Sequence, residues 1–366
     1  MGTPAFEIDR YVVLSDAECD ARIRAAKATL GEQLVILGHH YQREEVFKYA
    51  DFSGDSLKLS KQAAQSKARY IIFCGVHFMA EVADIMTRPE QISILPDLAA
   101  GCSMADMANL ATVERAWQEL SRYVDVETAI TPVTYINSAA DLKAFCGRHG
   151  GIVCTSSNAR QVLEWSFAQK EKILFFPDQH LGRNTGYKMG IPLEQMVVWD
   201  FNQPRGGLTP EQIANAKMIL WKGFCSVHQM FQPQHIDNFR AKYPDVKVIS
   251  HPEAMFDVCQ KSDEVGSTEY IINTVKASPA GSRWLVGTEL NLVNRLAQEC
   301  KPLGINVHFM SPTVCMCSTM FRTDPQHLLW TLENLVAGRI VNQIKVAASE
   351  TAQAKLALQR MFDVSP

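Results

Sequence analysis

Short apolar runs alternate with helical segments along the whole chain. Each run holds about four to six residues rich in β-branched or aromatic side chains, which is typical of a buried strand. The six clearest runs open the segments VILGHHYQ (35–42), YIIFCGVHF (70–78), VTYINSAA (133–140), ILFFPDQHLG (173–182), VKVISHPEA (246–254) and WLVGTELNL (284–292). Strands that alternate in this way with helices predict βαβ units and parallel sheets.

Several helix starts are also visible in the sequence. Ser15 and Glu18 have the spacing of a capping box, as do Thr209 and Gln212. A further helix is predicted after Asp324, and its apolar stripe consists of Leu328, Leu329, Leu332, Leu335 and Val336.

The same layout occurs three times. A strand ends in a polar residue, a Ser/Thr group opens a helix, a second strand follows, and a cysteine comes last. The segments that complete the three units are FSGDSLKLS (52–60) and AAGCSM (99–104), CTSSNARQV (154–162) and KGFCSVH (222–228), and VGSTEYIIN (265–273) and SPTVCMC (311–317). A repeated layout of this kind indicates repeated structural units.

Residue spacing supports the repeat. The distance is 17 residues from His39 to Ser56 and 16 from His251 to Ser267, and it is 27 both from Gly75 to Cys102 and from Thr288 to Cys315. The middle unit is longer, with an insertion around 203–212. We therefore predict three similar α/β/α domains at 1–108 (with an N-terminal helix), 109–230 and 231–366 (with C-terminal helices). Their small parallel sheets would be arranged with pseudo-threefold symmetry around a central site.

Composition limits the classes of protein that this chain could belong to. Of its 366 residues, 47% are hydrophobic and 20% are charged, with a net charge of −3 and both signs scattered. That balance argues against a nucleic-acid or anionic-membrane partner. The first residues lack a signal-peptide pattern, and no apolar run approaches the roughly 18–20 residues of a membrane span. We expect a cytoplasmic protein, in which the ten cysteines are packing residues or metal ligands and not disulfides.

The strand ends carry the first candidate chemistry. Ligands of parallel α/β sheets lie beyond the carboxyl ends of the strands. The polar residues at these ends are His39, His40 and Tyr41, then Tyr135 and Asn137, then His251 and Glu253. A single histidine after a strand is usually structural, but three polar strand ends that face one axis predict a common site.

Serine and threonine residues at the helix starts provide a second candidate feature. Ser56, Ser156 with Ser157, and Ser267 with Thr268 would cap these helices, and the helix N-termini would also attract anions. Three such termini around one cavity predict a substrate with several carboxylates or phosphates.

The cysteines that end the three units are the third feature. Cys102, Cys225 and either Cys315 or Cys317 could hold a zinc ion or an iron–sulfur cubane. Three thiolates on a [4Fe–4S] cubane would leave one iron open as a Lewis acid, which favours dehydration or condensation chemistry. Cys19, Cys74, Cys146, Cys154, Cys259 and Cys300 fall in helix or strand patterns and are interpreted as packing residues.

Taken together, these segments resemble the quinolinate synthase family. The matching motifs, in order, are GHHYQ, GDSLKLS, GVHFMAE, GCSM, YINSAA, CTSSNA, PDQHLG, GFCSVH, HPEA, VGSTEYI and VCMC. The resemblance implies condensation of iminoaspartate with dihydroxyacetone phosphate to quinolinate, phosphate and water in NAD biosynthesis. It also implies a [4Fe–4S] cofactor and a functional link to an L-aspartate oxidase or dehydrogenase that supplies iminoaspartate.

The same resemblance implies roles for individual residues. The cluster ligands would be Cys102, Cys225 and Cys315, with Cys317 a buried neighbour. Catalytic candidates are Tyr41, Glu253, His39 and Tyr135, of which Glu253 and Tyr41 are the best acid/base candidates. Substrate-binding candidates are His39, Ser56, Tyr135, Asn137, Ser156, His228, His251, Glu253, Ser267 and Thr268. No CxxC pair precedes Cys315, so we expect no disulfide switch there.

Two alternatives belong to other classes. A cluster-bearing sensor of oxygen or iron would not need the polar residues at the strand ends. A zinc-dependent sugar-phosphate lyase would be colourless when active, whereas an iron–sulfur protein is brown.

Overall fold

The structure is a computed structural model that describes residues 6–314 and 316–365. It divides the chain into two compact units. The first unit comprises Met1–Cys102 and Met316–Val346, and the second comprises Ser103–Cys315 and Ala347–Pro366.

Fourteen strands occur within the described residues. They are β1 (Leu34–His39), β2 (Phe52–Gly54), β3 (Tyr70–Cys74), β4 (Ile92–Ile94), β5 (Ile130–Tyr135), β6 (Ile152–Cys154), β7 (Lys172–Phe176), β8 (Met196–Trp199), β9 (Met218–Trp221), β10 (Lys247–Ser250), β11 (Glu264–Val265), β12 (Arg283–Gly287), β13 (Asn306–Phe309) and β14 (Gln343–Ile344).

Sixteen α-helices lie in the same described ranges. They are α1 (Asp16–Leu30), α2 (Glu44–Phe47), α3 (Ser56–Gln65), α4 (His77–Met86), α5 (Leu110–Leu120), α6 (Val126–Ala129), α7 (Ala140–Arg148), α8 (Ala159–Gln169), α9 (Gln179–Lys188), α10 (Pro210–Asn215), α11 (Pro233–Lys242), α12 (Phe256–Lys261), α13 (Thr268–Lys276), α14 (Leu290–Cys300), α15 (Pro325–Val336) and α16 (Ala348–Asp363).

One strand order is common to all three sheets, and it confirms the predicted repeat. The first sheet contains the order β4-β3-β1-β2, the second β9-β7-β5-β6 and the third β13-β12-β10-β11. Every neighbouring pair in these series is parallel. Numbered along the chain within each four-stranded series, the strands are therefore arranged fourth, third, first, second. The first sheet belongs to the first compact unit, and the other two belong to the second.

Two sheets carry an additional edge strand. In the second sheet, the additional strand is β8, which pairs in parallel with β9. In sequence, β8 lies shortly before the insertion that was predicted around 203–212. In the first sheet, β14 pairs antiparallel with β4. Because β14 lies near the end of the chain, the first compact unit is built from two separate stretches of sequence. No motif predicted this return, and the predicted domain boundaries at 108 and 230 stay a prediction.

Buried apolar side chains form the core on the faces of these sheets. In the first unit, α1 and α15 pack together beside the first sheet, with Ile23, Ile36, Ile72 and Leu332 in one cluster. In the second unit, α16 packs against α7. The six cysteines interpreted as packing residues are all buried, which confirms that interpretation.

Most of the predicted helix signals are confirmed, but two details were wrong. Both capping boxes form, at Ser15 and at Thr209. Val336 does not belong to the buried stripe of α15, because 43% of the residue is exposed while the four leucines are buried. Ser56 does not cap α3; the carboxylate of Asp55 accepts the capping hydrogen bond from Lys58 N at 2.9 Å.

No helix in the described ranges is both long and apolar enough to cross a membrane.

We expect Asp55→Ala to lower the free energy of unfolding by about 0.5–2 kcal/mol, the usual cost of losing an N-cap. Ser56→Ala removes a hydroxyl that does not cap the helix, so its effect should stay within about 0.5 kcal/mol. Urea denaturation of both variants measures the two values. Equal losses in the two variants would contradict the assignment of the cap to Asp55.

Candidate active site

Polar residues follow the first strand of each sheet, as predicted. His39 ends β1, Tyr135 ends β5, and His251 directly follows β10. Tyr41, Asn137 and Glu253 each lie two residues further on. Because the sheets share one strand order, these pairs occupy equivalent positions in the three folds.

The first compact unit places His39, Tyr41 and Ser56 after its sheet strands. The backbone N–H of Tyr41 donates to His39 Nδ1 at 3.1 Å, and the two rings meet edge to face with centroids 4.7 Å apart. An Nδ1 that accepts a hydrogen bond leaves the proton of the neutral imidazole on Nε2. Ser56 is half-buried and forms the first residue of α3.

In the second unit, Glu253 lies at the centre of a buried polar cluster. Its Oε1 accepts a hydrogen bond from the Tyr135 hydroxyl at 2.5 Å, and its Oε2 lies 2.9 Å from His228 Nδ1. His228 Nε2 in turn lies 3.3 Å from Thr288 Oγ1. Tyr135, His228 and Glu253 are each no more than 4% exposed. The end of β5 and the loops that follow β9 and β10 therefore supply one hydrogen-bonded group.

His251 packs against this group. Its ring stacks on that of His228 with centroids 4.6 Å apart, and Glu253 N donates to His251 Nδ1 at 3.4 Å. The local geometry is the same as that of His39 and Tyr41. Burial lowers the pKa of His251 to about 3. The imidazole is therefore neutral at pH 7, with its proton on Nε2.

The surroundings of Glu253 keep its carboxylate charged. Burial alone would raise its pKa, but His228, His251 and Tyr135 together lower it to about 2. Burial raises the pKa of Asp178 well above its ordinary value, and the Glu253 carboxylate adds to that shift. Two carboxyl groups whose pKa values are shifted in opposite directions within one region are typical of acid–base chemistry. The cluster can accept a proton at Glu253 and donate one from Tyr135.

Asn137 lies beside this cluster in sequence and has a polar atom to offer. Its Oδ1 is buried and has no hydrogen-bond partner within the described residues. A buried oxygen of this kind is normally satisfied, and a substrate donor group would satisfy it.

The helix starts of the second unit differ in how they are capped. Ser267 caps α13 by accepting from Tyr270 N at 3.4 Å, and Thr268 is the first residue of that helix. Neither Ser156 nor Ser157 is the residue that precedes α8. That place belongs to Asn158, whose Oδ1 accepts from Thr155 N at 2.7 Å and holds the loop.

Ser156 lies on a cleft of about 160 Å³ within the second unit. Other residues that line it are Asn184, Lys188, Pro252, Val265 and Gly266. The cleft therefore brings the predicted serine of the second sheet to the loops of the third.

Cys225 lies on the loop that carries His228. Its thiol and the ligand atoms of His228 and Glu253 all lie within 4.8 Å of one another. A Cβ on Gly223 would come within 2.1 Å of Pro177 O, so only glycine permits this loop to approach the one after β7. That close approach fixes where the segment leading to Cys225 begins.

The predicted ligand cysteines differ from the packing cysteines in exposure. Cys102 and Cys225 are both partly exposed, in contrast to the six packing cysteines. Each lies after the fourth strand of its four-stranded series, β4 or β9. Cys315 lies outside the described residues. Cys317 is half-buried, with its Sγ 3.4 Å from Thr319 Oγ1, so the prediction of a buried neighbour was wrong.

Sequence reasoning missed several residues around Glu253. Asp178 and His180 follow β7, and burial lowers the pKa of His180 to about 4. Asn184 and Lys143 hold the loops that carry the site. PDQHLG was recognised as a motif, but only for its strand. Because β7 is parallel to β5, its carboxyl end lies at the same edge of the sheet, and this could have indicated Asp178 and His180.

Comparisons with known proteins show the family of this chain. The family described as "Quinolinate synthetase A protein" matches residues 21–363. The chain belongs to this family. A quinolinate synthase from Acidobacterium capsulatum is 55% identical over 360 residues, which cover 98% of this chain and 96% of the relative. One from Rhodopirellula baltica is 56% identical, covering 97% and 93%, and one from Corynebacterium glutamicum is 53% identical, covering 98% and 90%.

Family membership makes this protein an enzyme with an iron–sulfur cluster. The residues present fit such a cofactor. Cys102 and Cys225 are partly exposed thiols at equivalent places in two folds, and thiolates are the usual ligands of iron–sulfur clusters. Buried apolar cysteines such as Cys146, whose pKa is raised by burial, are unsuited to ligation.

The histidine pKa values predict an acid-sensitive fold. A histidine with a folded pKa of about 3 and an unfolded value near 6.5 stabilises the protein fully above pH 6.5. This stability is lost as the pH falls towards 3. Between pH 7 and pH 5, the free energy of unfolding should fall by about 2 kcal/mol less in His251→Asn than in the unaltered protein.

His327 provides a control of opposite sign. Its bond to Asp324 raises its pKa, so this histidine stabilises the fold at acid pH and its contribution is lost as the pH rises. His327→Asn should therefore steepen the loss on acidification. Thermal unfolding at pH 5, 6 and 7, with matched iron content, compares the two variants. An unchanged slope in His251→Asn would contradict a neutral buried His251.

Proposed function

We propose that this protein is a quinolinate synthase that condenses iminoaspartate with dihydroxyacetone phosphate. The products are quinolinate, phosphate and water, and the reaction belongs to NAD biosynthesis. One observation carries the proposal: the buried Tyr135–Glu253–His228 group lies beside Cys225, in a chain of this family.

The demands of this reaction match the available groups. Carbon–carbon and carbon–nitrogen bonds must form while phosphate and water leave, so several protons move. Glu253 is the charged base, and Tyr135 is a hydroxyl donor bound to it. His228 orients the second carboxylate oxygen. All three are shielded from bulk water, which strengthens their interactions with a bound substrate.

Substrate binding requires donors for two carboxylates and one phosphate. We assign this role to Ser56, Ser156, Ser267 and Thr268 at the loops and first turns of α3, α8 and α13, together with Asn137. Helix N-termini favour anions because of their unpaired N–H groups and positive dipole end. His39 and Tyr41 have the same backbone arrangement as His251 and Glu253, which supports a site role for them as well.

The cofactor in this proposal is a [4Fe–4S] cluster held by Cys102, Cys225 and Cys315. With three thiolate ligands, the cluster would supply one open iron as a Lewis acid for an oxygen atom of the substrate. The protein's own residues would orient the substrate and move its protons.

Other parts of the proposal concern the cellular setting. An enzyme that converts aspartate into iminoaspartate would supply the substrate. A cytoplasmic location fits the six packing cysteines, which are reduced and buried. The family match favours synthesis over the sensor and the zinc-dependent lyase.

Anaerobically purified protein should be brown and should form quinolinate from iminoaspartate and dihydroxyacetone phosphate. Liquid chromatography of the product and the visible spectrum test both points. A brown protein that makes no quinolinate would favour the sensor. A colourless protein that makes it would show that the cofactor is not an iron–sulfur cluster.

Substitution of the ligand cysteines should remove the colour. We expect Cys102→Ser, Cys225→Ser and Cys315→Ser to lose iron and activity, because each removes one thiolate. Cys317→Ser should keep its iron and most of its rate. Cys154→Ser, at a buried packing site, controls for destabilisation and should stay brown. A colourless Cys317→Ser beside a brown Cys315→Ser would move the third ligand to Cys317.

Glu253→Gln should lower kcat by about 10²–10⁴-fold, since it removes the proton-accepting carboxylate while keeping its shape. The variant should retain its fold and its iron. Glu164→Gln, on the exposed face of α8, is the matched control and should leave kcat unchanged. A loss of only a few-fold in Glu253→Gln would assign Glu253 to positioning.

A further inference from the structure

One side chain binds the two carbonyl groups on either side of Glu253. Asn184, on α9, donates from Nδ2 to Pro252 O at 2.8 Å and to Ala254 O at 2.9 Å. The residue is 2% exposed. The opposite orientation of the amide would set its oxygen against two carbonyl oxygens, so only this one is compatible with the loop. Both hydrogens of the amide are thus used to hold the Glu253 loop.

The middle fold contains the same device. Lys143, on α7, is fully buried, and its Nζ donates to Ile136 O at 2.9 Å and also to Ser138 O. These two carbonyls lie on either side of Asn137. Asn137 follows Tyr135 by two residues, just as Glu253 follows His251. Two equivalent loops are therefore each held by one buried nitrogen on their flanking carbonyls.

The two clamps differ in what they join. Lys143 holds a loop of its own fold, next to β5. Asn184 belongs to the middle fold, yet it binds a loop of the third fold. The hydrogen bond from Tyr135 to Glu253 spans the same two folds. A donor of the middle fold therefore holds the loop that carries the acceptor of this bond.

Close packing of α9 fixes the position of Asn184. A Cβ on Gly182 would come within 2.8 Å of Leu220 and 3.0 Å of Phe175, so the glycine lets the helix lie directly on β7 and β9. A helix held at this distance presents Asn184 to the third fold with little freedom.

We infer that Asn184 and Lys143 are positioning residues, Asn184 for the acid–base group Glu253 and Lys143 for the binding group Asn137. This inference rests on the proposed function for the roles of those two groups. A lysine buried against carbonyls is costly to desolvate, and straight-chain apolar residues would fill the same space at lower cost. A role in holding the two loops explains why Asn184 and Lys143, and not apolar residues, occupy these positions.

The inference predicts different kinetic defects for the two clamps. Asn184→Leu keeps the volume but removes the donors, and it should lower kcat by about 10–100-fold with KM little changed, because small displacements of catalytic groups have effects of that size. Lys143→Met should instead raise KM by about 10-fold with a smaller change in kcat. Lys143→Gln should restore much of the affinity, because an amide nitrogen can bridge a carbonyl pair, as Asn184 does.

Asn334→Ala is the control for a purely structural effect. Asn334 is a fully buried asparagine of the first compact unit that binds Phe6 N at 2.8 Å and Trp330 O at 2.9 Å. Its loss should lower the thermal midpoint without separating kcat from KM. All variants are assayed anaerobically with loaded cluster, and rates are corrected for folded, iron-containing protein.

The outcomes separate this inference from the proposed function. If the unaltered protein makes no quinolinate, the function fails and the clamps have no reaction to support. If it makes quinolinate and both variants behave like Asn334→Ala, the positioning roles are overturned. If Lys143→Met does not fold, the other two variants still test the inference. An unchanged kcat in Asn184→Leu would contradict the positioning role of Asn184. A tenfold higher KM in folded Lys143→Gln would contradict the expected rescue by an amide donor.

Discussion

The buried carboxylate of Glu253 is the group on which the arrangement of the site depends. A charge out of water is stable only when nearby groups compensate it. Tyr135, at the end of β5, and His228, in the loop after β9, provide that compensation, and His251 completes the group by stacking on His228. The loops after β5, β9 and β10 must therefore keep their relative positions. Any movement that separates them would leave an unpaired buried ion.

The repeated fold places polar residues at equivalent positions in its three copies. Each sheet has the same parallel order, so its first strand delivers a polar pair to the same edge in every copy. The three copies differ in the side chains at these strand-end positions. A histidine that accepts from the backbone precedes Tyr41 and Glu253, whereas Tyr135 precedes Asn137. Burial at this edge raises the pKa of Asp178, whereas the pKa of Glu253 is lowered despite its burial, because His228, His251 and Tyr135 surround its carboxylate.

The position of each cysteine in the repeat determines whether its thiol is buried or partly exposed. Ten thiols occur in the chain, and their residue type alone does not separate ligands from packing residues. In the described residues, the cysteines inside helices and strands are buried, and burial raises the pKa of thiols such as Cys74 to about 12. Cys102 and Cys225 follow the fourth strands and are partly exposed. A thiolate ligand needs the partly exposed environment of Cys102 and Cys225, because a thiol must lose its proton to bind a metal.

The sequence by itself determined the six clearest strands, most of the helix starts, the threefold repeat and the polar residues at the strand ends. These are encoded locally, by periodicity, capping residues and short motifs such as HPE and YIN. Only the tertiary structure decided that Asp55 caps α3 in place of Ser56, that β14 returns to the first sheet, and that Asp178, His180, Asn184 and Lys143 surround the site. Tyr135 and Glu253 are 118 residues apart in sequence and share one hydrogen bond. No local pattern encodes such a contact, because it depends on how two sheets of the second unit pack.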